Sequence, residues 1–287
     1  ENRAFEKGQV IIHEESLKVA KSNFTTTNSY NTDNWGNYTK HDYAIFNVWH
    51  TWIEYINRLF GALAGLATLV LAVVSLWLWK KNKVIPILSW LVVFGMGFQA
   101  WLGATVVYSE LEPVKITLHM IMALIIVAML LYVIFKTAKS GKNKKSSKPL
   151  VNLLILSIIL TLIQIVLGTQ VRQFVDHQID FYGEQAKNLW LQKPEVQFYI
   201  HRTFSVLVVL LNLYIAFLIH KLNLGYKKIN WVLIVLLFEL ISGITMYYMD
   251  FPFGSQTIHL VMASLLFGAQ FYLVLEAINA KQSVKTL

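Results

Sequence analysis

Residues 50–65 read HTWIEYINRLFGALAG, and residues 196–209 read VQFYIHRTFSVLVV. Aligning the two puts Asn57 opposite His201, each followed by an arginine, Arg58 or Arg202. The same helix start recurs 144 positions apart with histidine in only one copy. A repeat of this kind has to be recognised before single segments are interpreted.

Both stretches open long apolar runs. The chain has seven, at about 55–79, 84–108, 114–135, 149–171, 195–219, 229–249 and 255–278. Each is long enough to cross ~30 Å of hydrocarbon at 1.5 Å per helical residue. Of the 287 residues 56% are apolar and only 14% charged, against about 25% charged in soluble domains. The sequence predicts an all-α polytopic membrane protein. The formal charge of +9 is then a topology signal rather than a nucleic-acid signal. No cysteine is present, which excludes disulfides, thiolate metal sites and cysteine nucleophiles within these residues.

The joints alternate in charge. Lys80, Lys81 and Lys83 follow the first run, six lysines from Lys136 to Lys148 follow the third, and Lys221, Lys227 and Lys228 follow the fifth. Lys281 and Lys285 follow the last, whereas the intervening joints are acidic or mixed. Positive joints stay inside, so the C-terminus is expected in the cytoplasm and residues 1–50 on the outer face of the cytoplasmic (inner) membrane. Residues 25–42, TTTNSYNTDNWGNYTKHD, read as irregular structure. Residues 8–24, GQVIIHEESLKVAKSNF, alternate like a small hairpin.

The repeat extends beyond its first helix. Gly103 precedes His119 as Gly243 precedes His259, and Asn57 to His119 spans 62 positions against 58 from His201 to His259. Three helices are duplicated in one orientation, which implies halves related by an axis along the membrane normal. The fourth run lacks a counterpart. The expected molecule is a pseudo-twofold pair of four-helix bundles whose first helix lies upstream of Glu1. Its parts are an outer polar segment (1–50), an N-terminal half (51–145) and a C-terminal half (146–287).

His119, His201 and His259 all begin outward-starting helices, with Asn57 in the fourth equivalent place. Ionisable groups at this depth need a partner or a task. Axial ligation of haem iron suits His201 and His259, which start related helices of one half. Glu54 lies one turn before Asn57 and has no acidic copy, since Gln197 or Phe198 stands in its place. That asymmetry points to chemistry in one half and a cofactor in the other; an interfacial glutamate paired with Arg58 is the plainer reading. Arg58, Arg172 and Arg202 suit haem propionates or lipid headgroups equally. His41, His50 and His177 lie outside the apolar runs, with His50 close enough to Glu54 to bear on it. Gln99, Gln164 and Glu239 stand four positions before Gly103, Gly168 and Gly243. Small residues of this kind admit a flat ligand or simply close helix packing.

Five stretches carry a resemblance: WIEYINRLFGALAG (52–65), GFQAWLGATVVYSELEPVKITLHMIMA (97–123), TLIQIVLGTQVR (161–172), YIHRTFSVLVV (199–209) and SGITMYYMDFPFGSQTIHLVMA (242–263). In this order and spacing the chain resembles the haem A synthase family over nearly all of its membrane part. The resemblance implies two four-helix halves and a haem b in the C-terminal half, with His201 and His259 as iron ligands. It further implies haem o as substrate in the N-terminal half, its C8 methyl oxidised to a formyl group. Glu54 matches the catalytic glutamate, and His119 matches one of two histidines at the substrate haem.

Asn57 departs from the commonest family pattern, which has histidine three residues after the glutamate. The substrate haem is then expected to take His119 alone, or His119 with a weaker sixth partner. The resemblance implies further partners: a haem O synthase supplying haem o, a membrane electron donor, and cytochrome oxidase assembly factors. No recognisable nicotinamide or flavin motif occurs, so electrons are expected through haem b. The main competitor is a di-haem electron carrier of the cytochrome b561 kind, which would favour a symmetric ligand set. A transporter with parallel repeats would instead carry polar groups near mid-membrane.

Overall fold

The structure is a computed structural model that describes residues 3–14, 16–27, 30–38, 48–108, 113–138, 144–183 and 185–282. The chain divides into two compact units, residues 1–67 and 68–287. His41 lies outside the described residues.

The first unit begins with short strands. β1 (Ala4–Phe5) pairs antiparallel with β4 (Phe24–Thr25). β2 (Val10–His13), β3 (Ser16–Ala20) and β5 (Trp35–Asn37) form a three-stranded antiparallel sheet. The predicted hairpin is β2–β3, turning at Glu14, whose φ is 48°. Within the segment expected to be irregular, Trp35–Asn37 instead adds the third strand. The reason is burial: Phe5, Ala20 and Trp35 make a small core, with Phe24 packed against it. The Trp35 ring stands edge-on to both Phe5 and Phe24, at 5.1 Å from each. Stacked and edge-on aromatics of this kind give a small sheet a core that short aliphatics would not.

Seven helices follow: α1 (Val48–Ser75), α2 (Val84–Tyr108), α3 (Pro113–Thr137), α4 (Lys148–Tyr182), α5 (Val196–Lys221), α6 (Ile229–Tyr248) and α7 (Ser255–Asn279). All seven are long and apolar enough to cross a membrane. Their outward faces carry large apolar side chains such as Phe60, Phe94, Phe217 and Trp231. In lipid those faces need no protein partner, and the helical backbone satisfies its own polar groups.

Within the second unit α2 packs on α3, α4 on α5 and α6 on α7, as three hairpins. α7 also packs against α3 and α4, so it is the central helix of this unit. One core joins α4 to α7 through Leu150, Val208, Ile215, Val232, Leu236 and Leu273. A second joins α3, α4 and α7 through Met120, Leu124, Ile165 and Phe267.

The fourth apolar run differs from expectation. It continues as helix to Tyr182, about three turns beyond the expected end at 171. Two features extend it. Arg172 pairs with Asp176 one turn on, and Val175 is buried with Trp190 and Phe251 from the loops alongside. Ser147 caps its start by accepting from the Leu150 amide, and a proline follows in the first turn.

Candidate functional site

Each hairpin of the second unit is built round one histidine and one glycine. A Cβ placed on Gly103 of α2 would stand 3.3 Å from Cε1 of His119 on α3. On Gly168 of α4 it would stand 3.1 Å from Cε1 of His201 on α5, and on Gly243 of α6, 3.7 Å from Cε1 of His259 on α7. The missing side chain is the seat of the imidazole. The residue one turn earlier then ties the histidine helix in place. Gln99 Nε2 donates to the His119 carbonyl at 3.1 Å, and Gln164 Nε2 to the His201 carbonyl at 3.0 Å. On α6 the corresponding residue is Glu239, and it reaches the ring instead: its Oε2 lies 2.9 Å from His259 Nδ1.

Two of the three rings face one another. The centroids of His201 and His259 are 6.5 Å apart, with ring planes at 71°. One iron held between two imidazoles, each at about 2 Å from a ring nitrogen, needs centroids ~6.4 Å apart. The spacing of the pair is thus compatible with a single metal between the two rings, and Gln164 Nε2 lies 3.5 Å from His201 Nε2. Hydrogen bonding also sets the tautomer of His259. The Ser242 hydroxyl donates to the Glu239 carbonyl at 3.0 Å, so at 2.8 Å from Nδ1 it can only accept. Nδ1 carries the proton and Nε2 keeps its lone pair for a metal. The Nδ1 atoms of His201 and His119 are buried without a partner among the described residues.

Aromatic and basic groups surround the histidine end. Phe198 stacks on Tyr247 at 5.4 Å, and the Arg202 guanidinium lies over the rings of Phe198 and Tyr199. Arg172 is engaged by Asp176, Nε to Oδ2 3.5 Å. His177 is exposed on the extension of α4. Between α6 and α7, Asp250 and Phe251 both take left-handed φ, near 50°, and Lys187 Nζ donates to the Phe251 carbonyl at 3.3 Å.

Glu54, Asn57 and Arg58 belong to the first unit. Glu54 forms an ion pair with Arg58 one turn along α1, and both Asn57 and Arg58 are exposed. His119 belongs to the second unit. The structure thus brings together His201 and His259 and, separately, Glu54 with Arg58. His50 is helical, and its side chain lies outside the description.

Three further features were not expected from the sequence. About 11 residues inward of His201 and His259 lies a buried polar triad. Ser157 Oγ donates to Asn212 Oδ1 at 2.9 Å, and Gln270 Nε2 donates to both, at 2.9 and 3.2 Å. At the lysine-rich end, buried Glu276 receives Lys228 Nζ at 2.5 Å and Lys144 Nζ at 2.6 Å. A largely apolar cavity of about 540 Å³ is lined by residues that include Leu88, Leu124, Ala128, Leu162, Phe267 and Phe271. At 100° per residue Leu124 and Ala128 lie on the side of α3 away from His119, so the cavity is separate from that histidine. For the triad the only sequence signal was an 11-residue step, three helical turns, from His201 to Asn212 and from His259 to Gln270.

Comparison with known proteins bears on what this geometry is for. The COX15-CtaA family, described as cytochrome oxidase assembly protein, matches residues 8–271. A heme A synthase of Wolbachia sp. subsp. Brugia malayi is 26% identical, over 90% of this chain and 81% of its own. One of Wolbachia pipientis subsp. Culex pipiens is 28% identical, over 91% and 83%. One of Flavobacterium johnsoniae is 27% identical, over 80% and 74%.

Proposed function

Since the chain belongs to the COX15-CtaA family, we propose that it is a haem A synthase, oxidising the C8 methyl of haem o to a formyl group. The observation that carries this reading is the facing pair His201 and His259, seated on Gly168 and Gly243 at the spacing one iron requires. The heme A synthases named above support the activity by similarity.

In this reading the molecule has two related halves, residues 51–145 and 146–287, behind an outer segment of residues 1–50. His201 and His259 hold haem b through their Nε2 atoms in the second half. Haem b, when bound, supplies one-electron transfer to and from the reaction. Ser242 and Glu239 keep His259 in the tautomer that ligation needs. Arg202, held flat by Phe198 and Tyr199, offers its guanidinium edge to a propionate. In the first half His119 holds the substrate iron, and Asn57 contributes no strong ligand. Converting methyl to formyl takes up one water oxygen and releases four protons and four electrons. Glu54, paired with Arg58, takes the role of proton acceptor or water holder at that substituent.

The haem sites face outward in this reading, with the lysine-rich joints and the C-terminus in the cytoplasm. Haem o comes from a haem O synthase, the electrons released pass through haem b to a membrane partner, and the product serves cytochrome oxidase assembly. The test is to supply haem o to the wild type, Glu54→Ala and Asn57→His, then separate haem o, its hydroxylated intermediate and haem A by chromatography. Glu54→Ala is expected to keep haem b and make no haem A. Haem o left unaltered by the wild type, with haem in both halves, would favour a di-haem electron carrier.

A further inference from the structure

The residue one turn before each histidine-bearing glycine is Gln99, Gln164 or Glu239, and only Glu239 is an acid. The two glutamines each donate an amide to a backbone carbonyl across the hairpin; Gln164 Nε2 also lies 3.5 Å from His201 Nε2, and neither glutamine reaches an Nδ1 atom. Glu239 instead places Oε2 2.9 Å from His259 Nδ1, with Ser242 Oγ accepting from the same proton at 2.8 Å. The glutamate side chain is only 13% exposed, in a helix that crosses the membrane. A carboxylate there is costly to keep. A neutral amide oxygen would suffice to orient the ring, so the charge itself calls for a reason.

We propose that Glu239 is a positioning residue that holds the haem iron ligated by His259 at a lower reduction potential than a neutral partner would. The proposal rests on His201 and His259 being the haem ligands. A carboxylate accepting the Nδ1 proton makes a charge-assisted bond, roughly twice as strong as a neutral one. It draws that proton away and leaves Nε2 more electron-rich. Outer hydrogen bonds of this kind raise ligand basicity, and axial ligands set haem potential. A more basic Nε2 favours ferric over ferrous iron, so this half gives up an electron more readily. His201 lacks such a partner, its Nδ1 being unpaired among the described residues. The potential is therefore set from the α6 side.

The experiment uses the full chain purified with haem b, with a redox titration followed in the visible haem bands. Glu239→Gln keeps an acceptor at the ring and removes the charge. It is expected to shift the ferric–ferrous balance about tenfold or more towards ferrous iron, a rise of about 59 mV or more for one electron. Glu239→Asp should return the potential towards wild type, and the low-spin ferric EPR signal should shift in Glu239→Gln while remaining low-spin. An unchanged potential in a haem-loaded Glu239→Gln protein overturns the role of Glu239 and leaves the haem reading standing. A wild type without low-spin bis-imidazole haem overturns both.

Should Glu239→Gln fail to retain haem, His259→Gly supplied with imidazole or 1-methylimidazole makes the same comparison. Only imidazole can donate a proton to Glu239. A higher potential with 1-methylimidazole supports the proposal, and equal potentials overturn it.

Discussion

Replacing Gly168 by alanine tests the histidine seat with the smallest possible change. The new Cβ would stand 3.1 Å from Cε1 of His201. Carbon atoms rest at about 3.5 Å or more, so the ring must retreat by ~0.4 Å. The same change at Gly103 requires ~0.2 Å from His119, and at Gly243 none, because 3.7 Å from His259 is ordinary contact. A displaced ring either leaves its rotamer, at about 0.5–1.5 kcal/mol, or lengthens its bond to iron. The first cost alone corresponds to roughly 2- to 12-fold weaker haem retention. The helix itself gains, since alanine is favoured over glycine by about 1 kcal/mol in a helix interior. Gly168→Ala is thus expected to loosen haem b while the haem-free protein melts no lower than wild type. Titration with haem b, read by the low-spin absorbance change, measures the first. Thermal unfolding of haem-free protein in detergent measures the second. Gly243→Ala should stay near wild type, and Gly103→Ala should leave haem b untouched. Equal loosening by Gly168→Ala and Gly243→Ala would refute the seat, as would a Gly168→Ala protein with wild-type affinity.

Replacing either His201 or His259 by alanine should abolish the low-spin bis-imidazole EPR signal; its survival in both variants would rule out this ligand pair. Gln270→Leu removes two hydrogen bonds from the buried triad, and membrane-embedded bonds average about 0.6 kcal/mol each. A loss of about 1 kcal/mol in stability is expected, seen as a lower melting temperature with haem ligation intact. Burial pushes the Tyr226 phenol, in the joint between α5 and α6, above its ordinary value, and the Glu276 charge acts in the same direction. The native state then favours the protonated phenol. Its contribution to stability is complete below about pH 10 and is lost as pH rises towards the raised value. Tyr226→Phe should flatten the alkaline fall in stability between pH 9 and 12, and an unchanged slope would exclude Tyr226 as its source.

The repeat made part of the site readable. Glu54 and Arg58, four residues apart on one helix, had to share a face, and they pair. The constant step from Gln99, Gln164 and Glu239 to the following glycine was visible as well. Its meaning was not, because nothing local says whether a glycine admits a neighbouring helix, a ligand or a ring. The contact lies on the next helix, 16 to 33 residues away, and depends on how the hairpin closes. For the same reason Glu239 looked like a third copy of Gln99 and Gln164, although among these three only it reaches an imidazole Nδ1. The end of α4 was missed for a different reason. The polar residues of 172–182 read as loop, yet they are amphipathic enough to continue the helix once Trp190 and Phe251 cover Val175.

Local chemistry along the chain determined the seven spans and their order, because a bilayer accepts only long apolar helices and these announce themselves one residue at a time. The β2–β3 hairpin followed from alternation in the same way. Only the tertiary structure decided that His201 and His259 stand 6.5 Å apart, that Ser157, Asn212 and Gln270 meet, and that Lys144 and Lys228 converge on Glu276. Each of these joins residues 48 to 132 positions apart. In lipid, helix pairing draws on packing and hydrogen bonds between faces, not on the hydrophobicity that marks the spans. The sequence of one helix therefore carries its path across the membrane but not the neighbour against which its polar residues will be satisfied.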